Sequence, residues 1–495
     1  MTRSPRFLAA GLLATLAVAV AGCGGGGAKT SASGESGAKL VRSGALAFVA
    51  LNSDLGSSQW QQVDDLSKKF PGRSKVLEQI KQAFAKQGVD YDKDIKPALG
   101  PEVDVAVVSG ASAGQTSFAL LTKPDDAAKF KQLVAKLNAS DTGPSAKPAV
   151  YTEVDGWYAV SESQAQIDAV LKDSGGQALS EDATFTAALG KLPGEALVKA
   201  FLDGQQLNEL IRGQSQKSGS PFDPSSVGLD KLEFVAASTS AENDGIRVRG
   251  AANGANVGGS EFSSKLLGGV PGDALAFLGF RGAGTTDQLK KLESNPTVGQ
   301  ALQQIQAGLG VSFDDILALL RGEVALYVRP GAGIPEVTLA LETKDQSAAL
   351  SILDKLAARL AAAAGATVQP GKQGAHDVKT LNLGQIAVHY GGLGDKVLIT
   401  SGVNGIADYG ASGQRLPDSA AFKQAQSAAG MPDSTGGFLY LDLKDSIPLL
   451  EGLAGLAGQT PPAEVTENVR PLRSFLAWTE GSGGARTFDA FLEIK

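Results

Sequence analysis

The chain has 495 residues but only one cysteine, Cys23, and two histidines, His376 and His389. A single cysteine excludes an intramolecular disulfide framework and a cluster of thiolate metal ligands. Two separated imidazoles fall short of the three or four ligands that a zinc site needs. Hydrophobic residues make up 43% of the chain, which is ample for a core. We therefore predict that apolar packing stabilises the fold, without a bound metal or cofactor.

Excess basic charge and long apolar runs are also lacking. The 45 Lys and Arg residues are outnumbered by 52 Asp and Glu residues, giving a formal net charge of −7. A protein of this sign binds nucleic acid poorly and is repelled by anionic lipid head groups. Beyond residue 20 no segment approaches the roughly 18 uncharged apolar residues of a transmembrane helix. No phosphate-binding glycine motif opens a helix after a strand. These absences predict no nucleic-acid partner and no nucleotide cofactor.

The N-terminus has the layout of an export signal. Arg3 and Arg6 precede an apolar run of 14 residues, 7–20, and Ala-Gly-Cys follows at 21–23. The run is shorter than the roughly 20 residues that span a bilayer. Small residues there fit a signal peptidase, and the thiol can accept diacylglycerol, so we predict cleavage between Gly22 and Cys23 and lipidation of Cys23. Two acyl chains anchor a protein stably, which predicts a location on the extracytoplasmic face of the cell membrane.

The same ordered series of patterns occurs twice in the chain, which indicates an internal duplication. The matching segments are 45–49 and 274–278, 88–103 and 310–324, 118–123 and 339–344, 179–185 and 416–422, 201–203 and 440–442, and the strands at Phe234 and Phe475. We predict a signal peptide at 1–22, a flexible Gly/Ser-rich tether at 23–38, a first repeat unit at 39–257 and a second at 266–495.

The periodicity inside each unit predicts its fold class. An apolar helical face from Val76 to Phe84 ends at Gly88, and another from Val298 to Leu309 ends at Gly310. The order per unit is strand, helices, hairpin, helix, hairpin, helices, strand, helix, hairpin. It predicts an α+β protein, built from two tandem copies of a unit with helices packed on one face of a mostly antiparallel sheet. Short glycine-rich turns predict hairpins between 102–108 and 117–122 and between 323–328 and 336–341.

Several short segments resemble an uncharacterised, domain-of-unknown-function family of bacterial envelope lipoproteins. They are an Ala-Phe-Val-Ala-Leu strand leading to Asp54 and Trp60, Pro-Gly-Arg at 71–73, the stretch 92–102, Gly-Trp-Tyr-Ala-Val-Ser at 156–161, and 179–185. The resemblance covers nearly the whole chain after Cys23. It implies no activity, ligand or catalytic residue, because the family has none established.

Two local patterns suggest chemistry but favour a structural interpretation. Gly-Ala-Ser-Ala-Gly at 110–114 matches the nucleophile motif Gly-x-Ser-x-Gly around Ser112, yet that motif requires a following helix and here a strand follows. Asp90, Asp92 and Asp94 have the spacing of a calcium loop, but Ile95 and Pro101 stand where glycine and glutamate belong. We expect a hairpin turn at the first and acids that open a helix at the second.

The histidines and tryptophans complete the candidates. His376 follows an apparent loop, 371–375, and His389 alternates with apolar residues in a predicted strand. Neither has a convincing nucleophile or ligand set, so we expect structural roles and no catalytic or metal residues. Trp60, Trp157 and Trp478 could line a ligand groove, although core packing is the ordinary role of such residues.

Three functions remain open from the sequence. The first is a non-catalytic binding or structural lipoprotein, held to the membrane by diacylglycerol on Cys23, with an envelope protein as a possible partner. The second is a carrier of a lipid or another apolar ligand, suggested by an Ala- and Leu-rich helix at 348–364 over an antiparallel sheet. The third, which the sequence favours least, is a hydrolase.

Overall fold

The computed structural model describes residues 35–110, 115–140, 147–218, 224–254, 260–283, 286, 290, 293, 296–331, 333–384, 386–456, 458–459, 461–481 and 483–495. The chain divides into two compact units. The first comprises described residues up to 224, with 229–254 and 494–495, and the second comprises 225–228 and residues from 255 to 493. The predicted signal peptide lies outside the described residues, and the predicted boundary between the two units stays a prediction.

The first unit contains eight strands and six α-helices among its described residues. The strands are β1 (Ala47–Asn52), β2 (Glu102–Ser109), β3 (Thr116–Thr122), β4 (Val150–Val154), β5 (Trp157–Ser161), β6 (Val198–Asp203), β7 (Phe234–Glu242) and β8 (Gly245–Asn253). The helices are α1 (Ser58–Ser67), α2 (Arg73–Ala85), α3 (Ala127–Ser140), α4 (Gln164–Val170), α5 (Ala183–Leu189) and α6 (Gly204–Ser218). Every neighbouring pair is antiparallel, in the order β4-β5-β3-β2-β1-β6-β7-β8.

The second unit repeats this plan with one additional hairpin. Its strands are β9 (Ala276–Arg281), β10 (Glu323–Arg329), β11 (Glu336–Glu342), β12 (Val368–Gln373), β13 (His376–Leu383), β14 (Ile386–Leu393), β15 (Lys396–Thr400), β16 (Gly437–Asp442), β17 (Leu472–Glu480) and β18 (Arg486–Ile494). Its helices are α7 (Pro296–Leu309), α8 (Phe313–Leu319), α9 (Gln346–Ala364), α10 (Gly405–Asp408), α11 (Ala420–Ala429), α12 (Leu443–Leu456) and α13 (Ala463–Val469). The antiparallel order is β12-β13-β14-β15-β11-β10-β9-β16-β17.

Corresponding aromatic residues pack in the same way in the two units. Phe185 of α5 meets Phe201 of β6 with ring centroids 5.1 Å apart and planes at 81°. Phe422 of α11 meets Tyr440 of β16 with the same separation and the same angle. The α+β class and the tandem units are therefore confirmed, and the equivalent rings show that the duplication extends to the packing of the core.

Helices pack against part of both faces of each sheet, so the prediction that the helices lie on one face only is wrong. In β5, Ala159 packs in a core with Ile167 of α4. The preceding residue, Tyr158, packs in a second core with Phe130 of α3. The centroids of Phe130 and Tyr158 are 4.6 Å apart. Because successive strand residues point to opposite faces, two consecutive buried residues require a cover on each side. The near-continuous apolar strands of the sequence carried this signal.

Two further segments differ from the prediction. Residues 36–39, partly assigned to the tether, form a 3-10 helix in which Gly37 and Ala38 are buried, so the folded body begins before residue 39. The apparent loop 371–375 is largely strand, because β12 continues to Gln373 and only Gly374, with φ of +58°, and Ala375 form the turn. The three residues of this segment that join β12, Gly371, Lys372 and Gln373, have weak strand propensity, and pairing with β13 overrides it.

Candidate functional site

The predicted lipidation and cleavage site, Gly22 and Cys23, lies outside the described residues, as does Ser112. The strands on either side of Ser112 are described, and Ser109 at the end of β2 pairs with Thr116 at the start of β3. A nucleophile elbow needs a strand before the serine and a helix after it. The segment that carries Ser112 instead joins two antiparallel strands, as the hairpin interpretation predicted.

The structure keeps the two histidines apart. His376 lines an open cleft of about 470 Å³ with Lys265, Lys396 and Tyr409. His389 pairs with Thr380, which is four residues along β13 from His376. At about 3.4 Å per strand residue this separates the two positions by roughly 14 Å, too far for both rings to bind one metal ion.

His389 belongs to a polar row inside the second unit. Its Nδ1 lies 2.8 Å from Oγ1 of Thr380, while its Nε2 is buried and has no hydrogen-bond partner among the described residues. Across the next strands the row continues through Thr400 and Thr338, whose hydroxyls are 2.7 Å apart. Burial lowers the pKa of His389 below its ordinary value, because the charged imidazolium would lose its hydration. Burial therefore favours the neutral form of the imidazole.

The acidic candidates open short helical segments in both units. Asp90 accepts a hydrogen bond from the Lys93 N–H, and Asp94 accepts one from the Asp90 N–H, both at 2.9 Å. In the second unit Ser312 and Asp315 form the reciprocal capping box of α8, with both bonds at 3.1 Å. The helix-opening interpretation is confirmed. Among the described residues no cluster of three or more His, Cys, Asp or Glu side chains could hold a metal ion.

The tryptophan side chains pack against the core and do not line an open groove. Trp60 is buried and its indole N–H donates to the Asn52 carbonyl at 2.8 Å. Trp478 is buried and donates to Glu480 Oε1 at 2.7 Å. Trp157 is half-buried against the core of the first unit. Core packing, the ordinary role, is what the structure shows for these side chains.

A pair of buried glutamates, overlooked in the sequence, holds the segment before the central strand of each unit. Glu102 accepts hydrogen bonds from the N–H groups of Ser36 at 2.6 Å and Gly37 at 3.3 Å. Glu323 accepts from the N–H groups of Lys265 at 2.9 Å and Leu266 at 3.1 Å. The hydroxyls of Ser36 and Ser264 also donate to these carboxylates. Their occurrence at matching positions was visible in the sequence, but the partners lie more than 50 residues away.

Asp104 adds a second buried carboxyl to the first unit only. It is fully buried, its Oδ2 accepts from the Gly37 N–H at 3.1 Å, and its Oδ1 has no hydrogen-bond partner among the described residues. Burial, and then the carboxylate of Glu102 two residues away on the same face, raise the pKa of Asp104 well above its ordinary value. The second unit has Ala325 at the matching position. The polar cluster is thus particular to the first unit and closed to solvent.

The feature best suited to binding is a repeated apolar surface, which we call the open face. In the second unit it consists of two cross-strand rows, Leu339, Leu326, Leu278, Leu439 and Ala477, and Val337, Val328, Ala276, Leu441 and Phe475. None of these side chains is buried. Leu278 and Leu326, opposite each other in the middle of the sheet, are each 37% exposed, and Val337 is 42% exposed. Central strands of a sheet normally bury such residues.

The first unit has an equivalent open face. Its rows are Leu120, Val105, Val49, Ala200 and Ala237, and Phe118, Val107, Ala47, Leu202 and Val235. All are half-exposed. An antiparallel sheet with a solvated face normally alternates apolar and polar residues, and here both faces are apolar. A contiguous, partly exposed apolar surface indicates a binding site, and its repetition argues against an accident of one loop.

Comparisons with known proteins give a family but no activity. No curated protein matches the chain. Crystal form IV of TP0453 matches with 14% identity and a TM-score of 0.25, over 44% of this chain and 76% of that one. Crystal form I of TP0453 matches with 12% identity and a TM-score of 0.21, over 44% and 75%. No helix among the described residues has the length and apolar character to cross a membrane.

The family match covers residues 7–148 and 214–493, so it includes both units and most of the chain. The matched segments contain β1, β2, β3, β7 and β8 of the first unit together with the described strands of the second, of which only the last residue of β18 lies outside the match. They therefore include the glutamates Glu102 and Glu323 and most of both open faces. The chain belongs to the family described as protein of unknown function (DUF3352).

Proposed function

We propose that the protein is a lipid-anchored, extracytoplasmic, non-catalytic binding protein, and that its open faces carry an apolar ligand of the acyl-chain class. The observation that supports this proposal most directly is the occurrence of matching, half-exposed apolar rows in both units. Covering a valine or leucine side chain completely is worth about 1.5–3 kcal/mol. A ligand that lies along a row therefore gains from several side chains that the fold itself leaves partly in water.

The geometry of a row fits one acyl chain. A row crosses five strands, which are about 4.8 Å apart, so it extends over roughly 19 Å. One leaflet of the bilayer core, which is about the reach of an acyl chain, is roughly 15 Å thick. Each row offers only apolar contacts and no hydrogen-bonding side chain. This combination favours a hydrocarbon chain over a peptide or a sugar.

The predicted anchor supports the same function. Two acyl chains on Cys23 would hold the body beside a membrane, which is both source and destination of lipids. The absence of catalysis is supported by the β2–β3 hairpin, which does not give the segment around Ser112 the strand–turn–helix geometry of a serine nucleophile. A hydrolase interpretation would be supported instead if Ser112→Ala or His376→Ala removed an activity found by substrate screening.

Ligand binding can be tested with the chain expressed without residues 1–23, which retains every described residue of both compact units. Native mass spectrometry and titration with a fluorescent fatty acid should show bound acyl chains. The double variant Leu278→Asp and Leu326→Asp should lose the ligand of the second unit and halve the stoichiometry, because two carboxylates in the middle of a row repel hydrocarbon. Val76→Asp, at a valine of α2 that is 48% exposed, is the matched control.

The unfolding temperature of the double variant should stay close to that of the wild type, since neither leucine is buried. A wild-type protein that binds no acyl chain in either assay would refute the carrier function. Unchanged stoichiometry in the double variant would show that the ligand binds elsewhere.

The anchor is tested separately in cells. The wild type should incorporate labelled palmitate and sediment with membranes, and Cys23→Ala should lose the label and the membrane association. Retention of label by Cys23→Ala would refute lipidation at this residue, and membrane retention without label would identify a different attachment.

A further inference from the structure

A cleft of about 380 Å³ lies in the second unit between α12, α13 and the start of β17. Its walls combine apolar side chains, among them Ile447 and Leu472, with the cations Lys444, Arg470 and Arg473. One acid, Glu451, also lines it. Three cations against one acid is a local excess of positive charge in a chain whose net charge is −7.

The side chains of these three cations form no hydrogen bond or ion pair within the part of the chain that the structure describes. Other cations of this unit are paired, for example Arg329 with Asp408 at 2.6 Å and Lys379 with Asp354 at 2.7 Å. Lys444 and Arg470 are exposed and Arg473 is half-buried. Lys444 interacts electrostatically with the nearby Asp442, and the charges of Arg470 and Arg473 are available to an anion that enters the cleft.

Arg473, which lines the cleft, lies on the same strand as one end of the open face. Arg473 and Phe475 stand two residues apart on β17, so their side chains share one face of the sheet. Phe475 pairs with Leu441, and Leu441 pairs with Ala276, which makes Phe475 the end of an apolar row. The helix α12, which carries Lys444, begins at Leu443, directly after β16. An acyl chain on this row would therefore end beside the three cations.

The first unit lacks this charge. By strand register Gln205 stands where the second unit has Lys444, and Glu233 stands where it has Arg473. Glu233 accepts a hydrogen bond from Asn253 Nδ2 at 2.5 Å. The duplication thus kept the apolar rows in both units but placed cations at the end of the row in one of them.

We propose that the Lys444–Arg470–Arg473 cleft binds the anionic head group of a lipid whose acyl chain lies on the open face of the second unit. This inference rests on the proposed carrier function and adds the class of the ligand: an anionic amphiphile rather than a neutral one. Charge-assisted hydrogen bonds from arginine to a phosphate are stronger and more directional than those between neutral groups. The second unit then selects the lipid by charge, and the first unit binds acyl chains without that selection.

The test compares lipids that differ only in the head group. The chain without residues 1–23 is titrated, by native mass spectrometry and by displacement of a fluorescent fatty acid, with phosphatidylglycerol and with diacylglycerol of the same acyl chains. Free glycerol phosphate is the third ligand. We expect about tenfold tighter binding of phosphatidylglycerol than of diacylglycerol at one site per chain, with the difference shrinking as salt is added. Glycerol phosphate should bind far more weakly than the lipid.

Arg473→Glu, which copies Glu233 of the first unit, should abolish the preference while leaving diacylglycerol binding unchanged. Because Arg473 is half-buried, the double variant Lys444→Gln and Arg470→Gln, at exposed positions, should reduce the preference independently of any folding defect. Lys191→Glu, at an exposed lysine of the first unit, makes the same change of net charge as Arg473→Glu and should have no effect.

The outcomes separate the two proposals. Equal binding of the anionic and neutral lipids overturns the head-group site and leaves the carrier function standing. Binding of neither lipid overturns both. Glycerol phosphate that binds as tightly as the phospholipid overturns the lipid as the source of the anion, and identifies a site for a soluble phosphate.

Discussion

Asp104 is expected to destabilise the first unit at neutral pH, and Asp104→Asn should remove that cost. The side chain is fully buried, one carboxyl oxygen has no hydrogen-bond partner among the described residues, and Glu102 is two residues away on the same face. Burial and this neighbour raise the pKa of Asp104 well above 3.8, the ordinary value. Asparagine has nearly the same shape, carries no charge and keeps an oxygen for the Gly37 N–H.

The sign of the pH dependence follows from the direction of the shift. Between pH 3.8 and the higher folded-state pKa, the folded protein holds a proton that the unfolded chain has released. The stability contributed by Asp104 is therefore fully present below pH 3.8 and is lost as pH rises through the folded-state pKa. The slope cannot exceed about 1.36 kcal/mol per pH unit for one group. The advantage of Asp104→Asn should be near zero at pH 4 and grow toward pH 8.

The magnitude can be judged from the negative charge that Asp104 carries above its folded-state pKa with one oxygen unpaired, a charge that asparagine lacks. A buried polar group without a partner costs about 1–3 kcal/mol. For a unit of this size about 2–4 °C corresponds to 1 kcal/mol, so the variant should unfold about 2–12 °C higher at pH 8. The fluorescence of Trp60 and Trp157 reports on the first unit, and urea unfolding from pH 4 to 8 gives the free-energy difference. Asp173→Asn, at an exposed aspartate of the same unit, is the control.

A wild type more stable than Asp104→Asn at pH 8 would refute the reasoning, because it would show that the carboxylate is stabilised where it lies. An advantage that is independent of pH would also refute it, since the effect would then come from packing and not from the charge. Asp104→Ala, which copies Ala325 of the second unit, should gain less than Asp104→Asn, because it leaves the Gly37 N–H with only the 3.3 Å bond to Glu102.

Three further predictions concern the second unit. Glu323→Ala should lower the free energy of unfolding of this unit by about 2–6 kcal/mol, because the Lys265 and Leu266 N–H groups lose their acceptor. Glu467→Ala, on the surface of α13, should change it little, and equal effects of the two variants in urea unfolding would contradict the role of Glu323. His389 has a pKa lowered by burial, so its contribution is present above pH 6.5 and is lost as pH falls, and His389→Asn should flatten the decline of stability between pH 7.5 and 5.5 more than His376→Asn does; an unchanged slope would assign the decline to other groups. Gly269→Ala should cost about 1–3 kcal/mol in thermal unfolding, since its Cβ would lie 2.2 Å from Cζ of Tyr409, while Gly268→Ala meets no atom within 4 Å and should be tolerated; equal stability of the two variants would show that the Tyr409 ring can move.

Much of the fold was predictable because it depends on local patterns. Gly88 and Gly310 adopt φ of +73° and +70°, the left-handed backbone that ends a helix, as their places after apolar helical faces predicted. The predicted strands 102–108 and 323–328 correspond to β2 and β10 within one residue. Such features were accessible since each is determined by residues close together in the chain.

The candidate site was less predictable, because exposure depends on distant elements. The strands of the open face are apolar along their whole length, so their sequence does not show which side chains are covered. The structure shows that α3 covers one face of β5, whereas Val49 and Leu278 stay partly exposed to solvent. The strand register shows a second example. The sequence comparison matched Phe118 with Leu339, whereas the observed register makes Leu120 the counterpart of Leu339, two residues further along the strand. A shift of two keeps every side chain on its face, so the apolar pattern cannot detect it.

The sequence by itself determined the order of elements and the duplication, since these depend on periodicity and turn residues. It also predicts lipidation of Cys23 from a short local motif. Only the tertiary structure decided which apolar residues stay partly exposed, which acids are buried, and which cations stand at the end of an apolar row. The physical reason is that burial and electrostatic surroundings are set by residues brought together from far along the chain. The role proposed for Arg473 depends on its nearness to Lys444 and Phe475, and no local sequence pattern indicates that Lys444 and Arg473 line the same cleft.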